Sequence, residues 1–148
     1  MNQVYVDAPA RLRRPARRVR LVAARVLARL APADGVAIRL VDRAQMTALN
    51  GAWRGKRGPT DVLSWESALP GHLGDIALCL EVAREQARAL GHPLAVELAV
   101  LVVHALVHLC GMDHERSPDE ARRQAEIEMG LLDALGVNPA AALSRRGL

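Results

Sequence analysis

The apolar positions of this 148-residue chain change period several times, and each change marks an element. Val4 to Val6 predicts a short strand. After Pro9, Val19, Val22, Val26 and Leu30 form one helical stripe, so a helix should run to about Leu30, where Pro32 ends it. Val36 to Val41 alternates and is rich in β-branched residues, which predicts a second strand. Asp42 suits the cap of a helix running to about Asn50 through Met46 and Leu49, and the glycines and proline of Gly51 to Pro59 then read as a loop. Val62 to Glu66 and Gly74 to Leu80 are two further strands, and the Pro70-Gly71 turn between them favours an antiparallel pair. A helix should follow from Leu80 to Leu90 and stop at Gly91. Pro93 suits the first position of the next helix, and Ser117-Pro-Asp-Glu120 reads as the cap of a last one through about Leu135. The expected fold is α+β: a single domain over residues 1–148, with a four-stranded mixed sheet packed with about five helices and a metal site at the end of a central helix.

That central helix carries the chemistry. His104 and His108 are four residues apart, so both imidazoles lie on one helical face, and His114 follows after Gly111. A glycine tolerates the left-handed conformation that ends a helix, which would let His114 turn back toward the other two. Three imidazole ligands leave a fourth tetrahedral position open, as in catalytic zinc sites. Leu98 to Val103, just before the pair, is continuously apolar and predicts burial. The same spacing occurs in the metzincin protease signature, where a glutamate follows the first histidine. Here Ala105 stands in that place, so a zinc metallopeptidase would lack its usual base. Asp113 and Glu115 are the nearest substitutes in sequence; as a turn residue or an orienter of a ligand, Asp113 fits better outside the chemistry. Glu97, two turns before His104, is either a similar orienter or a carboxylate favoured by its helix start. Cys110 points well around the helix from both histidines and reads as a small buried residue.

Charge is distributed unevenly. Residues 1–30 hold eight arginines and one acid, whereas residues 31–148 hold twelve bases and fifteen acids, so +7 faces −3. Arg11, Arg14, Arg18, Arg25 and Arg29 share one side of the first helix. They form either a solvated face, a phosphate-binding surface or part of an Arg-rich targeting segment. A second basic cluster, Arg54, Lys56 and Arg57, falls in the predicted loop. It resembles a P-loop only superficially, having one residue too few and no Ser or Thr after the lysine. Two cysteines imply no disulfide framework, and no apolar run reaches membrane length or signal-peptide form. A cytoplasmic protein without membrane contact is the expectation.

Several segments taken together resemble one family. Asn50-x-x-Trp53-Arg54-Gly55-Lys56, Pro59-Thr-Asp-Val-Leu-Ser-Trp65, Gly74-Asp-Ile76, Glu97-Leu98 and His104-x-x-x-His108-Leu-x-Gly111-x-Asp113-His114-Glu115 occur in the order seen in the YbeY family of bacterial endoribonucleases. The resemblance covers most of the chain from about residue 36. It implies a zinc-dependent, single-strand-specific RNA hydrolase acting in 16S ribosomal RNA 3′-end maturation and ribosome quality control, with ribosomal RNA and the small subunit as partners. It also implies that His104, His108 and His114 hold one zinc ion per chain, and that Arg54 is linked to activity. From position and charge, His114 joins Arg54 as a catalytic candidate, Lys56, Arg57, Arg11, Arg14 and Arg18 are candidates for substrate binding, and Glu97 and Asp113 for places behind the ligands. This chain departs from the family pattern at Ala105, Met112 and Trp65, where glycine, an aromatic and phenylalanine are usual; none of these changes removes a polar group. Nickel and iron also accept imidazole. A non-enzymatic ribosome-assembly factor with structural zinc would explain the basic surface but not an open ligand position. With two tryptophans, one tyrosine and no phenylalanine, RNA binding should rest on charge more than on stacking, and Trp65 is expected in the core.

Overall fold

The computed structural model describes residues 3–111 and 117–138. Four strands, β1 (Val4–Asp7), β2 (Gly35–Val41), β3 (Val62–Glu66) and β4 (His72–Cys79), form one sheet in the order β1-β2-β4-β3. The β1–β2 and β2–β4 pairs are parallel and the β3–β4 hairpin is antiparallel, so the sheet is mixed as expected. A 3-10 turn over Ala10–Leu12 leads into α1 (Arg13–Leu30). The other helices are α2 (Arg43–Arg54), α3 (Leu80–Leu90), α4 (Leu94–Leu109) and α5 (Pro118–Ala134).

The two sheet faces are covered unequally. Val36, Ile38, Leu40, Ile76 and Leu78 point into a large core completed by α1, α4 and α5. Val41, Leu63, Ala77 and Cys79 point the other way, into a smaller cluster closed by Met46 of α2. Helix α4 is apolar on nearly all sides, the composition of a helix buried within a core, and Leu98 through Val103 are all buried. Its C-terminal turn rests on the hairpin at Gly74. A Cβ at this position would lie 2.8 Å from Leu109 Cδ2 and would collide with the Trp65 carbonyl oxygen, so only glycine lets the helix approach this closely.

Local signals hold most element ends. Asp42 and Gln45 form a capping box at the start of α2: the Asp42 side chain accepts from the Gln45 N–H at 2.7 Å, and the Gln45 side chain accepts from the Asp42 N–H at 2.9 Å. Ser117 Oγ accepts from the Glu120 N–H at 3.1 Å and opens α5. One boundary differs from the sequence expectation. Helix α2 continues through Gly51, Ala52, Trp53 and Arg54 and stops at Gly55, whose φ of 63° is left-handed. Gly51 is exposed and does not break the helix, because a lone glycine costs only about 1 kcal/mol there while the capping box and the Met46 contact anchor the rest.

Candidate metal centre and basic loop

Helix α4 presents His104 and His108 one turn apart near its C-terminus. Cys110 follows as the cap residue, and Gly111 adopts a φ of 95°, the left-handed turn anticipated at this position. His114 and Asp113 lie outside the described residues, as does Glu115. Among the described residues no group of three metal-ligating side chains is assembled.

The strongest constraint on the pair comes from α5. Glu128 Oε1 lies 3.0 Å from His104 Nδ1, and Gln124 Nε2 lies 3.4 Å from the same nitrogen. Glu128 and Gln124 are 2% and 1% exposed, so a carboxylate and an amide stand in an otherwise apolar interface. A buried carboxylate beside an imidazole takes its Nδ1–H as a hydrogen bond. Nε2 then carries the lone pair, the nitrogen that a metal would use. Carboxylate-held imidazoles of this kind are the usual support for histidine ligands, so the donor set fits a borderline metal ion such as zinc. Sequence reasoning missed Glu128 and Gln124. Their signal was present: with Leu131 and Leu132 they fill positions i, i+4, i+7 and i+8 of α5, where an inward stripe should be apolar.

Of the two places foreseen for Glu97, the structure has it in the first turn of α4, away from the histidines. It is completely buried, and His92 Nε2 lies 2.8 Å from its Oε1. With the Gln86 amide oriented so that its nitrogen donates, Gln86 bridges Glu97 Oε2 at 2.8 Å and Asp61 Oδ2 at 3.2 Å. Seven residues of α-helix span about 10 Å, too far for a carboxylate at position 97 to hold His104. Glu97 instead ties α3 and the start of β3 to the start of α4. Cys110 is exposed at the helix cap, not the small buried residue expected; partial desolvation, assisted by the Asp34 charge, pushes its thiol up.

Arg54, Lys56 and Arg57 are all exposed at the end of α2 and on the turn that follows. This turn is held from inside. Asn50, 3% exposed, donates from Nδ2 to the Gly58 carbonyl at 2.9 Å, while the Lys56 N–H donates to the Asn50 carbonyl at 3.4 Å. The arginines of α1 belong to the opposite side of the molecule, because α1 packs on the large-core face of the sheet and α2 on the other. Arg14 and Arg18 therefore share no surface with Arg54, whereas Arg11, on the 3-10 turn ahead of α1 rather than on the helix expected, lines a pocket with Asp42 and Gln45 at the other end of α2. The basic turn and the histidine helix do meet at one element, the end of β3. The Trp65 ring packs edge-on against Trp53 at 5.9 Å, next to Arg54, while the Trp65 backbone runs beneath Leu109, next to His108. Trp65 is half-buried and lines a surface groove with Trp53, so the expectation of a core residue is corrected. Its position on the edge strand leaves one side of the ring uncovered.

The family model described as Endoribonuclease YbeY matches residues 9–136. The chain belongs to the YbeY family. Among YbeY relatives, an Endoribonuclease YbeY of Anaeromyxobacter sp. strain Fw109-5 is 44% identical over 134 residues, covering 87% of this chain and 69% of that protein. One of Roseiflexus sp. strain RS-1 is 45% identical over 115 residues, covering 70% of this chain and 71% of that protein. The solution structure of TM1509 from Thermotoga maritima matches the fold with a TM-score of 0.62 at 22% identity, covering 95% of each chain. The YbeY match includes α1, which lies before the part of the chain that the sequence resemblance covered.

Proposed function

We propose that this YbeY-family endoribonuclease cleaves single-stranded RNA at a zinc ion held by His104, His108 and His114, and that it acts in 16S ribosomal RNA 3′-end maturation and ribosome quality control in the cytoplasm. The observation that carries the reading is the contact from Glu128 to His104 Nδ1, because it prepares a ligand nitrogen on the helix face shared with His108. When bound, such a zinc ion supplies Lewis acidity and a water molecule acidic enough to react near neutral pH.

The remaining work falls to side chains of the chain. Arg54, at the exposed end of α2, binds the scissile phosphate and offsets charge that develops in the transition state. Asn50 keeps the following turn in place, so that Lys56 and Arg57 engage neighbouring phosphates. RNA crossing the edge of β3 would pass from the basic turn to the end of the histidine helix, with Trp65 between them. Asp113, next to His114 in sequence, is the natural orienter of that ligand. Position 105 carries a methyl group in this helix, which disfavours peptide hydrolysis by the metzincin route.

Assaying a single-stranded RNA and casein side by side, with wild type, His114→Ala and metal-stripped protein, tests the reading. RNA cleavage by wild type alone, restored by zinc to the stripped protein, is the expected pattern. Undiminished RNA cleavage by His114→Ala would overturn the metal assignment.

A further inference from the structure

The chain has three aromatic residues, Tyr5, Trp53 and Trp65, and all three line one groove of roughly 710 Å³ on the sheet face that carries α2. The sequence spreads them over three distant segments; strand register brings them together. Tyr5 pairs with Ala37, Ala37 with Asp75, and Asp75 with Trp65, so these four residues form one row across the sheet. Ala37 and Ala77 leave the middle of the row shallow. Tyr5 forms one wall, and Trp65 with Trp53 stacked edge-on above it forms the other. Strands about 4.8 Å apart separate β1 from β3 by roughly 14 Å, enough for planar groups to lie between the walls.

Exposure is the second observation. Tyr5 is 62% and Trp53 66% exposed. Large aromatic surfaces held open to water on both sides of one groove mark a binding surface rather than a core. Its charge identifies the group bound. Asp75 lies in the aromatic row, and Asp7 and Glu66 line the groove against a single basic side chain, Arg39, whose guanidinium lies 3.9 Å from Asp7, so carboxylates outnumber basic groups on the floor and disfavour a phosphate there. A carboxylate accepts hydrogen bonds, and the N–H edge of a nucleobase offers them. Arg54, next to Trp53 and outside the groove, is placed for the phosphate that joins such a base.

We infer that this groove is a nucleobase subsite: an unstacked base of the single-stranded substrate lies against Trp53, with its polar edge toward Asp75 and its phosphate toward Arg54. The inference rests on the RNA-cleaving reading above and adds to it where the bases go. It also revises the expectation that charge dominates recognition, since the few aromatic residues are concentrated in one place.

The test compares two ligands of equal charge. A labelled single-stranded RNA decamer and a decamer of the same backbone with abasic riboses are bound to the full-length protein in chelator, and affinity is read by fluorescence anisotropy. Wild type should prefer the decamer with bases. Trp53→Ala should weaken its binding about tenfold and leave the abasic ligand unaffected, and Trp53→Phe should retain most of the affinity. Tyr5→Ala should act in the same direction. Equal losses on both ligands, or no loss on either, would overturn the subsite. Cleavage of the base-bearing decamer with zinc separates the two readings. Base-selective binding without cleavage sinks the hydrolase reading and keeps the groove; cleavage by wild type with Trp53→Ala indistinguishable from it does the reverse.

Discussion

Glu128 Oε1 stands 3.0 Å from Nδ1 of His104, a contact between residues 24 positions apart that joins the last helix to the histidine pair. A buried carboxylate in this position fixes both the tautomer and the ring orientation before any metal arrives. Replacing it by the isosteric amide in Glu128→Gln keeps the shape but removes the carboxylate that holds the ring through Nδ1. Zinc affinity should fall about 10-fold to 100-fold, measured by competition with a chromophoric chelator. An unchanged affinity would mean that Glu128 serves packing alone.

Arg54 carries no ion pair among the described residues and is exposed, so its removal should separate catalysis from stability. In Arg54→Ala the unfolding midpoint should move by no more than a surface substitution allows, within about 0.5 kcal/mol. RNA cleavage should drop roughly 100-fold to 1,000-fold, the size of effect seen when one positioned donor to a developing anion is lost. Arg54→Lys should recover part of it, since the charge stays while the planar fork is lost. Cleavage at the wild-type rate in Arg54→Ala would remove this residue from the chemistry.

The legible and illegible parts of this chain divide along a physical line. Strands, helix starts and Gly91 as a helix end were visible because each depends on neighbours in sequence: the alternation of Val36 to Val41, the Asp42–Gln45 box, the Ser117 cap. The end of α2 was misplaced because Gly51 looks like a breaker locally, while the packing that carries the helix past it is tertiary. The same distinction holds for the site. His104 and His108 are one turn apart by spacing alone, but Glu128 reaches His104 only through the α4–α5 packing. Glu97 shows the limit from the other side: spacing left it open between the histidines and its helix start, and the structure has it at the helix start. It shares the helical face of His104, yet its partner comes from the α3–α4 junction, where His92 is folded against it. The aromatic groove depends on register between four strands and had no local signature at all.

The position of α1 makes a prediction about substrate length. Arg14, Arg18 and Arg25 are exposed on the face of the molecule away from Arg54. A short oligonucleotide lying over the basic turn should not feel them. The triple variant Arg14→Gln, Arg18→Gln, Arg25→Gln should therefore cleave a decamer at the wild-type rate. On a long structured RNA, which can wrap to the other face, binding should weaken and the slope of log affinity against log salt should fall by about two to three, one for each lost phosphate contact. Equal losses on both RNAs would place α1 on the path of the short strand. No loss on either would make the arginine stripe a solvated face.

His92 and Glu97 test whether the buried network at the other end of α4 is structural. Glu97 is fully buried, and its carboxylate meets His92, itself 8% exposed, at 2.8 Å. Glu97→Ala leaves the His92 ring and the half-buried Gln86 amide without their shared acceptor, and a buried polar group left unsatisfied costs about 1–3 kcal/mol. Urea unfolding should show that loss directly. Zinc affinity under strongly native conditions should stay close to wild type, because two helical turns separate Glu97 from His104 and the support of the histidine comes from Glu128. This contrast with Glu128→Gln is the informative result: one carboxylate governs stability with little effect on the metal, and the other governs the metal. If Glu97→Ala instead weakened zinc binding as strongly as Glu128→Gln while unfolding normally, the network would be transmitting order along α4 to the ligands, and the division between scaffold and site drawn here would fail.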